Sequence, residues 1–337
     1  MRARAAIATT LAARPSTHRA TPEPSHDPAF GSAAEPPPDQ TTCSAAARPS
    51  HDQPTPTANP SHNRFSLTAF GTPHDRPPTV VGSSHGRAAG SSDGWGGGTV
   101  GGGTVISLLR SDPPLTLRQT GEAAVHLVST AAGPLGGDDL ALDLVVAAGT
   151  TLEVGSVAST LVLPGRGESS MLITAVVGEG ATLRFTPEPT VLAAGCSHRM
   201  SVRLKLAPRA RVLWREEIVF GRYGERPGRC HTRFDATVGG RPLLRQEFTV
   251  REEALDSSPA VFGGAACVGT TLITGPAAPP EALVADGVAV LPLAGPGTLV
   301  SALAADAVEL RARLRWGEST VINGPHQDQA PEEGRPR

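Results

Sequence analysis

The sequence predicts a mainly β protein: an elongated, β-solenoid-like stack of antiparallel strands and hairpins, with one or two short C-terminal α-helices and a disordered N-terminal extension. Three observations predict it. From Val105 onward, apolar residues fall in short alternating or continuous runs broken by turn residues, which is how strands read. Four strand–turn–strand units place Leu152, Leu183, Val212 and Leu243 at intervals of 31, 29 and 31 residues, and a unit repeated at near-constant spacing suggests hairpins that each bury a face on the next. Residues 1–98 are rich in Pro, Ser, Thr, Ala and Gly and show no apolar period, so they bury too little apolar surface to offset the entropy of ordering them.

In chain order, the extension 1–98 comes first. It repeats a short word, Pro24-Ser25-His26-Asp27, Pro49-Ser50-His51-Asp52 and Pro60-Ser61-His62-Asn63, with Pro73-His74-Asp75 as a shortened copy. Neutral imidazoles bind borderline metals such as Ni²⁺, which gives a nickel-buffering reading. A solvated low-complexity extension is favoured, because histidines this far apart chelate one ion only at the cost of closing long loops. Gly94 to Gly103 reads as a linker or the start of an edge strand, since a phosphate-binding loop needs a Gly-Lys-Ser/Thr ending that is missing here.

The body, residues 99–322, carries the strands. Leu140, Leu142 and Leu144 alternate around Asp143, and Val202, Leu204 and Leu206 alternate with Arg203 and Lys205, giving one core face and one wet face each. The turns between units are Ala147 to Thr150, Gly178 to Ala181, Ala207 to Ala210, and the shorter Gly239-Gly240. Leu299, Leu303, Val308, Leu310 and Leu314 fall near helical spacing between Gly295-Pro296-Gly297 and Gly317, which predicts one helix there. A second short helix over Pro259 to Val268 is weakened by Gly263-Gly264. Residues 323–337 return to a disordered tail.

Composition excludes several classes. The formal net charge is −2, which offers no electrostatic case for nucleic acid or an anionic membrane. No run of about 18 apolar residues is present to make a transmembrane helix, and Ala5 to Ala13 carries too many threonines for a secretion signal. Cys43, Cys196, Cys230 and Cys267 lack a framework spacing and suit reduced thiols in a cytosol.

Catalytic chemistry is sparse. The body offers His126, His198 and His231 as bases and no Gly-x-Ser-x-Gly elbow, so a hydrolase using His198 or His231 is one alternative class. Cys196 with His198, and Cys230 with His231, look like two half-sites for a soft or borderline metal, although buried inert cysteine is the commoner outcome. Asp138 and Asp139 follow a glycine turn and read either as a cation-handling surface or as turn acids capping their own backbone. Glu188 is held extended between two prolines. Gly221 to Gly228 is a charged loop of the kind that carries either a partner contact or nothing.

These residues fall in four ordered motifs. Gly133-Pro134-Leu135-Gly136-Gly137-Asp138, Ser156-Val157-Ala158-Ser159-Thr160, Pro187-Glu188-Pro189-Thr190 and the loop with Gly221-Arg222, Gly224-Glu225 and Gly228 resemble the signatures of the actinobacterial urease accessory protein UreD (UreH) family. The resemblance implies a cytoplasmic, non-catalytic maturation factor, mostly β, that binds UreF, through it the GTPase UreG, and on another surface the urease apoprotein. It implies no tightly bound cofactor and transient handling of Ni²⁺. It also puts Asp138, Asp139 and Glu188 near a polar nickel passage and gives Gly136, Gly137, Arg222 and Glu225 structural or partner-contact roles. Isolated carboxylates suit transit better than a closed Cys/His cage, because the ion must be released. A β-solenoid module that binds protein or carbohydrate is the other alternative class, supported by the repeat alone.

Overall fold

The computed structural model describes residues 1–12, 103–250, 258–276, 278, 279 and 281–324. The histidine-bearing words, most of the Gly94 to Gly103 segment and the tail from residue 325 lie outside them.

The chain opens with β1 (Arg2–Leu11), then β2 (Thr104–Arg110), β3 (Leu115–Gln119) and β4 (Ala124–Ser129). Three winding units follow. The first is β5 (Asp139–Val146), β6 (Thr151–Ser156) and the short β7 (Thr160–Val162), and the second is β8 (Ser169–Val177), β9 (Thr182–Phe185) and the short β10 (Thr190–Leu192). The third is β11 (Ser197–Leu206) with β12 (Arg211–Val219).

Within each unit the first strand lies in one sheet and the second in the other, so the two sheets stack unit upon unit. Leu152 pairs laterally with Leu183, and Leu183 with Val212, so the 31- and 29-residue intervals are the length of one winding.

The stack is solenoid-like, as the period predicts, but its strands run parallel where hairpins were expected. β5, β8 and β11 are parallel neighbours, as are β4, β6, β9 and β12. The reason lies in the turns. Thr150 N donates to Ala147 O at 3.1 Å, Ala181 N to Gly178 O at 3.1 Å and Ala210 N to Ala207 O at 3.0 Å, and each turn carries the chain across the core to the opposite sheet. Successive turns also bond to their neighbours, Gly178 N to Val146 O at 2.8 Å and Ala207 N to Val177 O at 2.9 Å.

Only the fourth unit is a true hairpin. β13 (Arg229–Val238) pairs antiparallel with β14 (Arg241–Val250) through Gly239 and Gly240, whose φ of 55° and 80° are the left-handed values a two-residue hairpin turn demands. Leu243 therefore leaves the period and joins the first sheet.

Between the sheets, Leu142, Ile173, Val202 and Phe234 are in register and buried. Facing them, Trp214 stacks on Phe185 at 4.0 Å between ring centres and meets Phe234 edge-on at 6.2 Å. Burial of such apolar surface is the main source of stability here.

Three expectations are corrected. Residues 2–11 are not part of a disordered extension: β1 sits inside the first sheet, parallel to β5 and antiparallel to β2, with Ala3, Ala5 and Ile7 buried. Small alanines hid its inward face in a sequence rich in alanine. The helix runs from Ala307 to Asn323, here α1, with Asp306 capping Val308 and Glu309; Leu299 and Leu303 belong to the strand Thr298–Ala304, and Gly317 lies mid-helix. Gly317 is small because the helix is pressed onto the sheet there, where a Cβ would lie 2.5 Å from Val300 Cγ1. Finally, Ser258 to Ala265 forms turns where a second helix was expected, and Cys267 opens a strand.

That last part extends the second sheet with antiparallel strands, β15 (Cys267–Thr274), β16 (Leu283–Ala285), β17 (Val288–Pro292) and β18 (Thr298–Ala304). α1 covers them, burying Leu310, Leu314 and Val321 against Val290, Val300 and Ala302.

Candidate functional site

The glycines of the Gly133 to Asp138 segment are there for close approach. A Cβ on Gly136 would lie 2.8 Å from Gly165 Cα, and Gly137 has φ 94°. Asp138 accepts from the Met1 amine at 2.9 Å and from Leu135 N at 3.0 Å. Partial burial opposes its charge, but these donors outweigh burial and hold its carboxyl below the usual range. Asp139 is exposed, bonded by Ser170 Oγ and 3.9 Å from Arg2 Nε. Both aspartates thus meet the start of β1, and neither is among the residues lining the cavity beside them.

A cavity of about 360 Å³ does open beside them, at the end of the inter-sheet core remote from the winding turns. Three of the four motif segments line it: Gly133 and Pro134, Ser156 to Thr160, and Pro187, Glu188 and Thr190. Its walls are largely apolar, with Leu127, Leu140, Met171, Phe185 and Met200 among them; Glu188, His198, Glu216 and Glu217 are its titratable residues, beside several serine and threonine hydroxyls. Glu216 and Glu217 are not among the sequence-predicted site residues; the signal for them is a run of three charges, Arg215 to Glu217, between the apolar residues Val212 to Trp214 and Ile218 to Val219 of β12.

His198 is 2% exposed, and its Nδ1 lies 2.8 Å from Ser169 Oγ. Burial pushes its pKa down to about 4, so the imidazole is neutral at physiological pH. The Ser169 hydroxyl also reaches Ser197 O at 3.3 Å, so it can donate there while accepting from Nδ1–H of His198. Burial pushes Glu216 the other way, up to about 7. The buried indole N–H of Trp214 leans toward this carboxyl without completing a hydrogen bond.

Glu217 and Glu188 share one cation. Arg311 on α1 meets Glu217 at 3.0 Å and both Glu188 oxygens at 3.0 Å, and the Glu217 side chain is wholly buried. Behind them Arg215 and Glu318 form a buried bidentate pair, with Thr271 donating to Glu318 at 2.7 Å.

The Cys/His half-sites do not converge. Strand register puts His198 opposite Cys230 facing inward, while His231 points outward and meets Glu247 at 2.8 Å. Burial pushes the Cys196 and Cys230 thiols up to about 11 and 12, which keeps them protonated and poor ligands. Among the described residues no group of three or more His, Cys, Asp or Glu is disposed to hold a metal. Ser169, the hydroxyl beside His198, is wholly buried and has no exposed surface from which to attack a substrate.

Arg222 and Glu225 bond each other across the Gly221 to Gly228 loop, and Glu225 also accepts from Arg222 N at 3.1 Å. The Arg222 side chain pulls the Glu225 carboxyl down to about 2. This pair shapes its loop and lies away from the cavity.

Among the described residues no helix is long and apolar enough to cross a membrane. The sequence model of the family described as UreD urease accessory protein matches residues 97–323. A protein of Parafrankia sp. strain EAN1pec named urease accessory protein UreD is 45% identical over 245 residues, covering 64% of this chain and 82% of that protein. Its namesake in Frankia alni is 43% identical over 62% of this chain and 85% of its own length, and that of Streptomyces avermitilis is 40% identical over 63% and 89%.

Proposed function

Because the chain belongs to the UreD urease accessory protein family, we propose that it is a cytoplasmic, non-catalytic scaffold that binds urease apoprotein on one surface and UreF, with UreG through it, on another, for nickel insertion into urease. The observation that carries the nickel part is the cavity: three motif segments converge on one chamber whose titratable residues are glutamates and a neutral histidine. Those are donors suited to a borderline cation such as Ni²⁺. Among the described residues no three such groups are disposed to hold a metal together, which favours passage over storage.

This reading moves the ion-handling role from Asp138 and Asp139, whose oxygens are engaged at β1, to Glu188, with Glu216 and His198 beside it. Gly136, Gly137, Arg222 and Glu225 keep structural roles.

Co-purification of the tagged full chain with UreF and with urease apoprotein tests the scaffold part. Both partners are expected to be retained, UreG only when UreF is present. Retention of neither would favour a binding module with no urease role.

A further inference from the structure

One acid on the cavity wall is answered by no cation among the described residues. Along β12 the side chains alternate: Val212 and Trp214 point between the sheets, Arg215 and Glu217 point to α1, and Glu216 follows Trp214 inward. The other three titratable residues are settled. Glu188 and Glu217 each lie 3.0 Å from the Arg311 guanidinium, and His198 is neutral with its Nδ1 2.8 Å from Ser169 Oγ. At Glu216 burial opposes the charge, and the one attraction on it comes from the Trp214 indole N–H.

The space in front of this carboxyl has the size and lining of a small-molecule site. Its volume is about 360 Å³, where roughly 150 Å³ is enough to take up a benzene ring. Leu127, Leu140, Ile173 and Phe185 supply apolar walls, and Met171 and Met200 supply flexible ones that adapt to a guest. Val157, Ala158 and Ser159 line the cavity and are themselves exposed, so it opens to solvent along that segment. A largely apolar pocket with one demanding polar group selects a guest with the same division. A neutral guest would leave the Glu216 carboxylate unanswered, and an inorganic ion would leave the apolar walls unused.

We propose that the cavity is a binding site for a small organic cation, an ammonium on a ring-sized apolar body, with the body against the walls and the ammonium on the Glu216 carboxylate. Burial of the body supplies the affinity, and the ion pair supplies the choice of an amine over its neutral isostere. The proposal needs only the cavity and Glu216, and it stands apart from the nickel-handling reading.

The test is calorimetric titration of benzylammonium chloride, and of benzyl alcohol as its neutral isostere, into the full chain and its variants. The wild type is expected to bind the ammonium at one site with a Kd of about 1 mM or tighter, well inside the ceiling that ligand size sets. Benzyl alcohol is expected to bind about tenfold more weakly. Glu216→Gln keeps the shape of the wall and removes its charge, so it should weaken benzylammonium about tenfold and leave benzyl alcohol within about twofold. Three results overturn the proposal: equal ammonium affinity in the wild type and Glu216→Gln, equal affinity of the wild type for the two probes, or no saturable binding up to roughly 10 mM. Leu127→Trp, which fills the cavity, should abolish binding of both probes with the fold retained by circular dichroism. Undiminished binding there would place the site elsewhere and overturn the proposal as well. Should Leu127→Trp fail to fold, Met171→Trp decides on the same criterion.

Discussion

At the scale of single residues, Glu216 and His198 are displaced from their ordinary protonation in opposite directions by the same cause, burial beside the cavity. Their consequences for stability oppose each other. Glu216 resists ionising until about pH 7 in the fold against an ordinary 4.5, so it makes stability fall as pH rises through that window. His198 resists protonation down to about pH 4 against an ordinary 6.5, so its contribution is lost as pH falls from 6.5 toward 4. Each is worth about 3 kcal/mol, and in the wild type they largely cancel between pH 4.5 and 6.5. Glu216→Gln removes one side of the balance. Urea unfolding of that variant is expected to show stability rising between pH 4.5 and 6.5 by about 3 kcal/mol more than in the wild type. A flat profile in the variant would contradict the placement of a neutral, buried His198. None of this is legible in the sequence, where His198 reads as half of a Cys/His pair and Glu216 is one of three consecutive charges, Arg215 to Glu217. What matters is which face of the strand each side chain takes and what lies across the core.

At the scale of elements, the turns between the sheets decide the architecture. Gly178 shows how tightly they stack: a Cβ there would lie 2.6 Å from Ala148 N, which is backbone and has little freedom to give way. Gly178→Ala is therefore expected to lower stability by about 1–3 kcal/mol, the usual range for overpacking, measured as a lowered thermal midpoint. An unchanged midpoint would mean the turns are not packed as described. The sequence disclosed the period and the turn positions, because Leu152, Leu183 and Val212 recur where the core needs them. Whether a four-residue turn doubles back or crosses between sheets is set by backbone angles and by the neighbouring turn, and the same Ala/Gly/Thr composition serves both. Only Gly239-Gly240 carried its own geometry in its letters. The misplaced helix has a similar cause: Leu299 and Leu303 are four apart and fit a helix, yet they also sit on an alternating strand that ends just before the Asp306 cap.

At the scale of the whole molecule, β1 joins the beginning of the chain to its body. It fills the place between β2 and β5, and Ala12 N reaches Gly103 O at 2.7 Å, so the chain leaves and re-enters the sheet at adjacent positions. Deleting residues 2–11 is expected to strip the ladder from β5 and expose Leu140, Leu142 and Leu144, leaving a chain that aggregates or fails to show a cooperative thermal transition. A deletion variant that unfolds cooperatively near the wild-type midpoint would contradict that role for β1. The family was legible from four short motifs, and three of them prove to be the walls of one chamber. The motifs named the family without revealing that chamber, because segments far apart in sequence meet only once the stack is wound. The role proposed for this chain is nickel insertion through that chamber. The most direct measurement is the nickel content per active site of urease purified from cells that co-express it, UreF and UreG with the wild-type chain, with Glu188→Gln, or with no chain. Near-full loading with the wild type and a several-fold deficit in the other two is expected. Fully loaded, active urease in the absence of the chain would contradict the account.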